Sequence, residues 1–373
     1  MRVLLLHNRY RSPGGEERAV ANIVELLSRR GHQVELLERS SAGTGSARAA
    51  GSMLAGGLNP GTVARAVSRL RAEVVHAHNI HPLFGWRALA AAREAGARTV
   101  LHVHNFRLFC AIGVAYRDGA VCHRCSGRNT LPGLRLRCRG SLAESAVYAA
   151  AISHQQPRLF GESDRLVALS EGHAAALREL GLPAEKTSVL PNFVPIHQFA
   201  PRSLAAQGRY ALVAGRLVEE KGYDTAILAA RAASVPLMIV GAGPDERRLR
   251  QLAAGGPIRF TGWVSQGELA RLRREAAVEL APSRSEEACP YSVLDALAAG
   301  IPVLGSSLGG LPELVGRNAA LDPTHTDAWT GALRELWDNP DRRAQAGSEG
   351  LERCRVLFGE DRYYDGLMRI YRG

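Results

Sequence analysis

The sequence predicts an α/β protein made of two doubly wound, parallel-sheet domains. Three observations carry this reading. The chain has 373 residues, enough for two domains that each bury a core. It opens as strand, glycine-containing loop, amphipathic helix, strand, which is how a doubly wound sheet begins. From Val278 onward an apolar strand, a loop, a helix and another strand follow one another again.

The elements follow in order. Val3 to Leu6 is a buried strand, and Arg11 to Glu16 is a turn-rich loop holding Gly14 and Gly15. Ala19 to Arg29 is a helix with Val20, Ile23, Val24 and Leu27 on one face, and Gly31 ends it. Val34 to Leu37 is the second strand. The opening loop lacks G-x-G-x-x-G, so the nicotinamide fingerprint is absent. Ser40 to Gly61, rich in Gly, Ser and Ala, reads as a mobile loop, and Val63 to Leu70 as a helix. Two further strands end in His78-Asn79 and in His104-Asn105. A histidine at the carboxyl end of a parallel strand is placed to face a cleft; a satisfied structural histidine is the alternative at each position. Leu166 to Ser170 is a strand and Glu171 to Leu180 a helix. Turn signals cluster over Val194 to Pro201. The expected domains are therefore 1–195 and 196–357, with a last helix within 358–373.

The second half begins with the strand Ala211 to Ala214, and Arg216 and Lys221 follow in its loop. Two cations five residues apart at a strand's carboxyl end can converge on one pyrophosphate, Arg in bidentate fashion; a surface charge pair is the alternative. Lys186 and Lys221 are the only lysines, so a retained Lys in this loop stands out. Leu237 to Val240 and Ile258 to Phe260 are strands. Tyr291 to Ala299 is a helix, stopped by Gly300 and Pro302. Glu287 lies in the loop before it and Asp295 about one turn inside it. Ionised carboxylates accept hydrogen bonds, which suits sugar hydroxyls; a dipole-complementing Asp295 and a solvated Glu287 are the alternative.

Net charge is +11. Residues 1–195 carry 25 Lys+Arg against 14 Asp+Glu, and residues 196–373 carry 22 of each. The basic half suits an acidic acceptor or an anionic membrane surface, or is a solvated Arg-rich face. No basic motif with interleaved aromatics supports nucleic-acid binding. No apolar leader and no run of ~18 apolar residues is present, which predicts a cytoplasmic protein, in peripheral contact with the inner membrane face if the basic half binds lipid. Cys110, Cys122, Cys125 and Cys138 fall in one stretch poor in apolar residues, with C-x-x-C at its centre. Three readings stand side by side: structural zinc, disulfides, which a cytoplasmic setting disfavours, and free thiols.

The stretch Glu287, Pro290, Leu294-Asp295-Ala296, Gly300-Ile301-Pro302-Val303 resembles the E-x7-E segment of retaining glycosyltransferases of the GT-B fold, family 4. Asp295 stands where that family has a second Glu. Gly215-Arg216-Leu217 with Lys221-Gly222, Thr261-Gly262-Trp263-Val264 and Ser307 to Glu313 resemble further segments of the same family. The resemblance implies two Rossmann-like domains facing a central cleft, and sugar transfer from a nucleotide diphosphate sugar of UDP or GDP type to an acceptor. It implies that Arg216 and Lys221 clamp the diphosphate, Glu287 holds sugar hydroxyls, and Asp295 holds the ribose. Gly15, Gly243, Val264, Gly309 and Gly310 would let the donor approach. His104 would act near the reacting carbon, with His78 and Asn79 on the acceptor side. In such retaining enzymes the leaving phosphate takes the acceptor's proton, so no catalytic cofactor is required. A nucleotide-sugar epimerase of the same fold and a non-catalytic sugar-nucleotide-binding module are the alternatives.

Overall fold

The computed structural model describes residues 1–10 and 14–373. The chain divides into two compact units. One comprises Met1–Ala115, Cys122–Pro191 and Tyr364–Gly373; the other comprises Tyr116–Val121 and Asn192–Tyr363.

The first unit contains β1 (Arg2–Arg9), β2 (Gln33–Ser40), β3 (Val74–Ala77) and β4 (Arg98–His102). Two short strands, β5 (Tyr116–Arg117) and β6 (Ala120–Val121), form an antiparallel hairpin that groups with the second unit. The first sheet is completed by β7 (Arg165–Ala168) and β8 (Thr187–Val189), in the order β2-β1-β3-β4-β7-β8, with every pair parallel. Leu4, Leu6, Val75 and Leu101 meet Phe84, Leu89 and Leu177 in its core.

The second unit contains β9 (Ala211–Ala214), β10 (Leu237–Val240), β11 (Ile258–Gly262), β12 (Val278–Ala281), β13 (Val303–Ser306) and β14 (Ala320–Leu321). Their order is β11-β10-β9-β12-β13-β14, again all parallel. The strand order reverses direction beside β9 and β12, and open parallel sheets bind ligands at such a switch point. In the first sheet the equivalent place lies between β1 and β3.

Two local devices shape these edges. The helix Gly15–Arg29 starts earlier than its apolar face, because Glu17 accepts from the Gly14 N–H at 2.7 Å and from the Tyr10 N–H at 3.0 Å. That closes the helix's first turn with an acid where its dipole favours one. At the end of the helix Tyr291–Ala298, Gly300 takes φ +73°, and a Cβ there would lie 2.8 Å from Ser203 Cα. Only glycine satisfies both the conformation and the contact.

Ser40 to Gly61, expected to be a mobile loop, instead carries the helix Ser46–Ala55. Its Ser52 and Met53 are buried, Ser52 Oγ donates to the Pro82 carbonyl at 2.7 Å, and Gln155 caps the Met53 carbonyl. Gly and Ser in and around the segment read as a loop, but its Ala, Arg, Met and Leu favour a helix and these tertiary contacts hold it. Among the described residues no helix is long and apolar enough to cross a membrane.

Candidate functional site

In the second unit, the loop after β9 and the loop after β12 come together. Lys221 lies in the first and Glu287 in the second, and the Lys221 ammonium is ion-paired with the Glu287 carboxylate. Ser283 Oγ donates to the same carboxylate oxygen at 2.8 Å. Burial opposes ionisation of Glu287, but the charge and hydrogen bond of Lys221 prevail and hold its pKa below the ordinary value. Arg216 is mostly exposed, 4.0 Å from Glu220. Gly309 has φ +58°, and a Cβ there would lie 2.6 Å from the Glu287 carbonyl oxygen; the Gly310 N–H donates to that oxygen at 2.7 Å. The Gly309-Gly310 loop therefore seats directly on the Glu287 loop. Lys221, Tyr223, Glu279, Ser283 and Glu287 line a cavity of about 20 Å3 at this edge.

Behind it runs a chain of buried charges. Arg273 donates to Glu279 through Nε at 2.9 Å and Nη2 at 3.2 Å, and to Asp295 through Nη1 at 3.1 Å. Arg273 also donates to the Ser292 carbonyl in the first turn of the acid-bearing helix. Burial keeps Glu279 above the usual carboxylate range even beside Arg273.

In the first unit, β3 and β4 pair with Ala77 opposite Leu101. Side chains alternate along a strand, so His76 and His78 share a face with His102 and His104. The four rings lie 4.3–5.3 Å apart, centroid to centroid, over the five contacting pairs. His78 Nδ1 is 2.9 Å from His104 Nε2. His76 Nδ1 is 2.8 Å from the Tyr371 hydroxyl, and His76 Nε2 is 3.3 Å from His102 Nδ1. Burial depresses every one of these histidines; His76 and His104 are pushed down to about 3. The four imidazoles are neutral at physiological pH.

Beside them lies Glu16, at the start of the first helix. It accepts from Tyr10 Oη at 3.1 Å and from Asn105 Nδ2. Burial raises its pKa to about 7, against the opposing charge of Arg107, and the Arg107 guanidinium sits 4.9 Å from the Tyr10 ring centre. Glu16, His78, His81, His102, His104 and Arg107 border a pocket of about 30 Å3, the share of one water in the liquid.

Residues 13–198 match the model of Glycosyltransferase Family 4, and residues 208–339 match that of Glycosyl transferases group 1. The chain belongs to the group 1 glycosyltransferases. Among curated relatives, the putative colanic acid biosynthesis glycosyltransferase WcaL of Salmonella typhimurium is 33% identical over 204 residues, 49% of this chain and 50% of the relative. A GDP-mannose-dependent alpha-(1-6)-phosphatidylinositol monomannoside mannosyltransferase of Mycobacterium tuberculosis is 32% identical over 219 residues, 51% of this chain and 57% of the relative. The chain thus spans about half the length of the curated relatives it matches. Sucrose-phosphate synthase from Thermosynechococcus elongatus superposes with a TM-score of 0.73 at 18% identity, over 99% of this chain and 98% of that one. The Anabaena protein HepE, solved with UDP and glucose, superposes with a TM-score of 0.65 at 17% identity, over the same shares. These likenesses show the GT-B fold.

In this group 1 glycosyltransferase the expected donor residues Lys221, Glu287, Gly309 and Gly310 share one loop cluster. Asp295, read as a ribose contact, has its carboxylate on Arg273. Gly243 packs on its own domain, since a Cβ there would lie 2.2 Å from the Leu217 carbonyl oxygen. Val264 follows the exposed Trp263, and Gly15 is the first residue of an exposed helix start. Arg11, Ser12 and Pro13 of that loop lie outside the described residues. His78 is buried at 1% exposure, and Asn79 donates to the Asn8 carbonyl, tying β3 to β1. Cys110, Cys122, Cys125 and Cys138 are half-buried and all in the first unit. Cys125 feels the other three electrostatically and accepts a backbone hydrogen bond from Gly133. Their sulfurs do not converge within 4.8 Å; among the described residues only His76, His78 and His102 bring ligand atoms that close. Sequence reasoning missed Glu16, His76, His102, Arg273 and Glu279. For the histidines a signal existed: His-x-His occurs at the ends of two successive strands.

Proposed function

We propose that the protein transfers a sugar from a nucleotide diphosphate sugar, of UDP or GDP type, to a hydroxyl-bearing acceptor with retention of anomeric configuration. The anomeric carbon–oxygen bond to the diphosphate breaks, a bond to the acceptor oxygen forms, and the leaving phosphate takes the acceptor's proton. The observation that carries the reading is the pairing of Lys221 with Glu287 where the second sheet switches direction. A cation for the diphosphate stands beside a carboxylate for the sugar hydroxyls, which is what a donor with those two parts needs. The relative that uses GDP-mannose and the structural neighbour solved with UDP support the donor class. Arg216 joins Lys221 on the diphosphate, and Gly15, Gly243, Val264 and the Gly309-Gly310 loop lie along the donor. Asp295 contacts the ribose after sharing Arg273 with Glu279. His104, neutral, acts near the anomeric carbon, with His78 and Asn79 on the acceptor side. The four cysteines are the candidate ligands of a structural zinc, supported by their C-x-x-C spacing. The basic excess of residues 1–195 favours an acidic acceptor or an anionic membrane surface.

The test is a thermal-shift screen against UDP, GDP, ADP and their sugar conjugates, since a ligand that binds the native state raises its stability. One nucleotide series should raise Tm, and Lys221→Ala should abolish that rise. A rise that survives Lys221→Ala removes the diphosphate role, and no rise with any nucleotide removes the donor site.

A further inference from the structure

We propose that His76, His78 and His102 bind one divalent transition-metal ion, zinc foremost, in the core of the first unit. One ring nitrogen from each lies within 4.8 Å of one from each of the others. All three residues are buried, at 0%, 1% and 2% exposure. Imidazole suits zinc, and three protein ligands with one water complete a tetrahedral site.

The outer nitrogens are already oriented. His76 Nδ1 meets the Tyr371 hydroxyl at 2.8 Å, and His78 Nδ1 meets His104 at 2.9 Å. Metal-bound histidines are held this way, with the second nitrogen fixed by a neighbouring polar group. On the inner side, His78 Nε2 and His102 Nε2 are buried and have no hydrogen-bond partner among the described residues. A closed hydrogen-bond network leaves no such ends, and buried polar atoms without partners require an explanation. The pocket bordered by His78, His102 and Glu16 has room for one water as the remaining ligand. Glu16 Oε2, likewise without a partner among the described residues, lies at its wall. The site is separate from the four cysteines, and through His78 it adjoins the acceptor side of the proposed transfer.

The experiment uses the full chain, grown with added zinc and purified without chelator, and reads X-ray absorption at the zinc edge. The expected spectrum contains nitrogen scatterers at about 2.0–2.1 Å with outer imidazole carbons, besides any sulfur shell at about 2.3 Å from the cysteines. His102→Asn, which fits within the histidine's volume and lacks the ring nitrogens, should remove the nitrogen shell and leave the sulfur shell. A sulfur shell alone, or no zinc, overturns the proposal without recourse to any variant. As a second route, the Cys122→Ser/Cys125→Ser chain should retain about one zinc per molecule; a folded variant that retains none overturns the site.

Discussion

The switch point of the first sheet is lined mainly by buried imidazoles, and that of the second by ion pairs. Four imidazoles, a carboxyl raised to about 7 and the Arg107 guanidinium stand at the first. At the second, Lys221 pairs with Glu287, and Arg273 with Glu279 and Asp295. Both sheets are six parallel strands with helices between them. The fold therefore does not dictate the electrostatics of its edge; the side chains at the strand ends do. Burial favours the neutral form and a countercharge opposes it; Lys221 prevails over burial at Glu287, whereas burial prevails at Glu16 and Glu279.

The largest effect should come from breaking the charged edge. Arg273→Met leaves Glu279 buried without its cation, and losing one partner of a buried pair costs ~3–5 kcal/mol. Chemical denaturation should show that loss, and Arg273→Met with Glu279→Leu should recover much of it. Recovery failing entirely would mean that Arg273 matters for packing rather than for charge.

Glu287→Gln comes next. It keeps the shape and loses the charge that Lys221 holds, and turnover should fall ~10²-fold or more, as for one lost transition-state contact. Wild-type turnover would sink the sugar-hydroxyl role.

The third prediction sets the two edges against each other in acid. A histidine depressed from its ordinary 6.5 to about 3, such as His104, stabilises the fold above pH 6.5. That contribution is lost as pH falls from 6.5 toward 3. Glu287, depressed below 4.5, contributes above 4.5 and loses its contribution only as pH falls further. Hydrogen exchange should therefore show peptides of β3 and β4 losing protection at higher pH than peptides of β9 and β12. Simultaneous loss would break the comparison.

The smallest effect is of opposite sign. Glu16 is raised from 4.5 to about 7, so its contribution is complete below 4.5 and is lost as pH rises through 7. Glu16→Gln stays neutral throughout. The Tm of wild type relative to this variant should decline between pH 5 and pH 8, by a few degrees at most. A flat difference would show that Glu16 does not titrate in that range.

Much of this molecule was legible in local sequence. The short apolar runs of the strands, the apolar face Val20, Ile23, Leu27 and the stop at Gly300 follow from neighbours a few residues apart, and so did the strand-end positions of His78, Lys221 and Glu287. The helix Ser46–Ala55 escaped because the Gly and Ser within and around it signal a loop, whereas contacts with Pro82 and Gln155 hold it as a helix. The two clusters escaped for a related reason. His76 and His102 are 26 residues apart in sequence, and Tyr371 is 295 from His76; Arg273 meets Asp295 across 22. The sequence by itself determined most strands of the two sheets and which residues stand at strand ends. Only the tertiary structure decided which of those side chains face one another, because that depends on inter-strand register and helix docking. The same contacts decided which groups keep their charge, since ionisation of a buried side chain depends on the partner beside it.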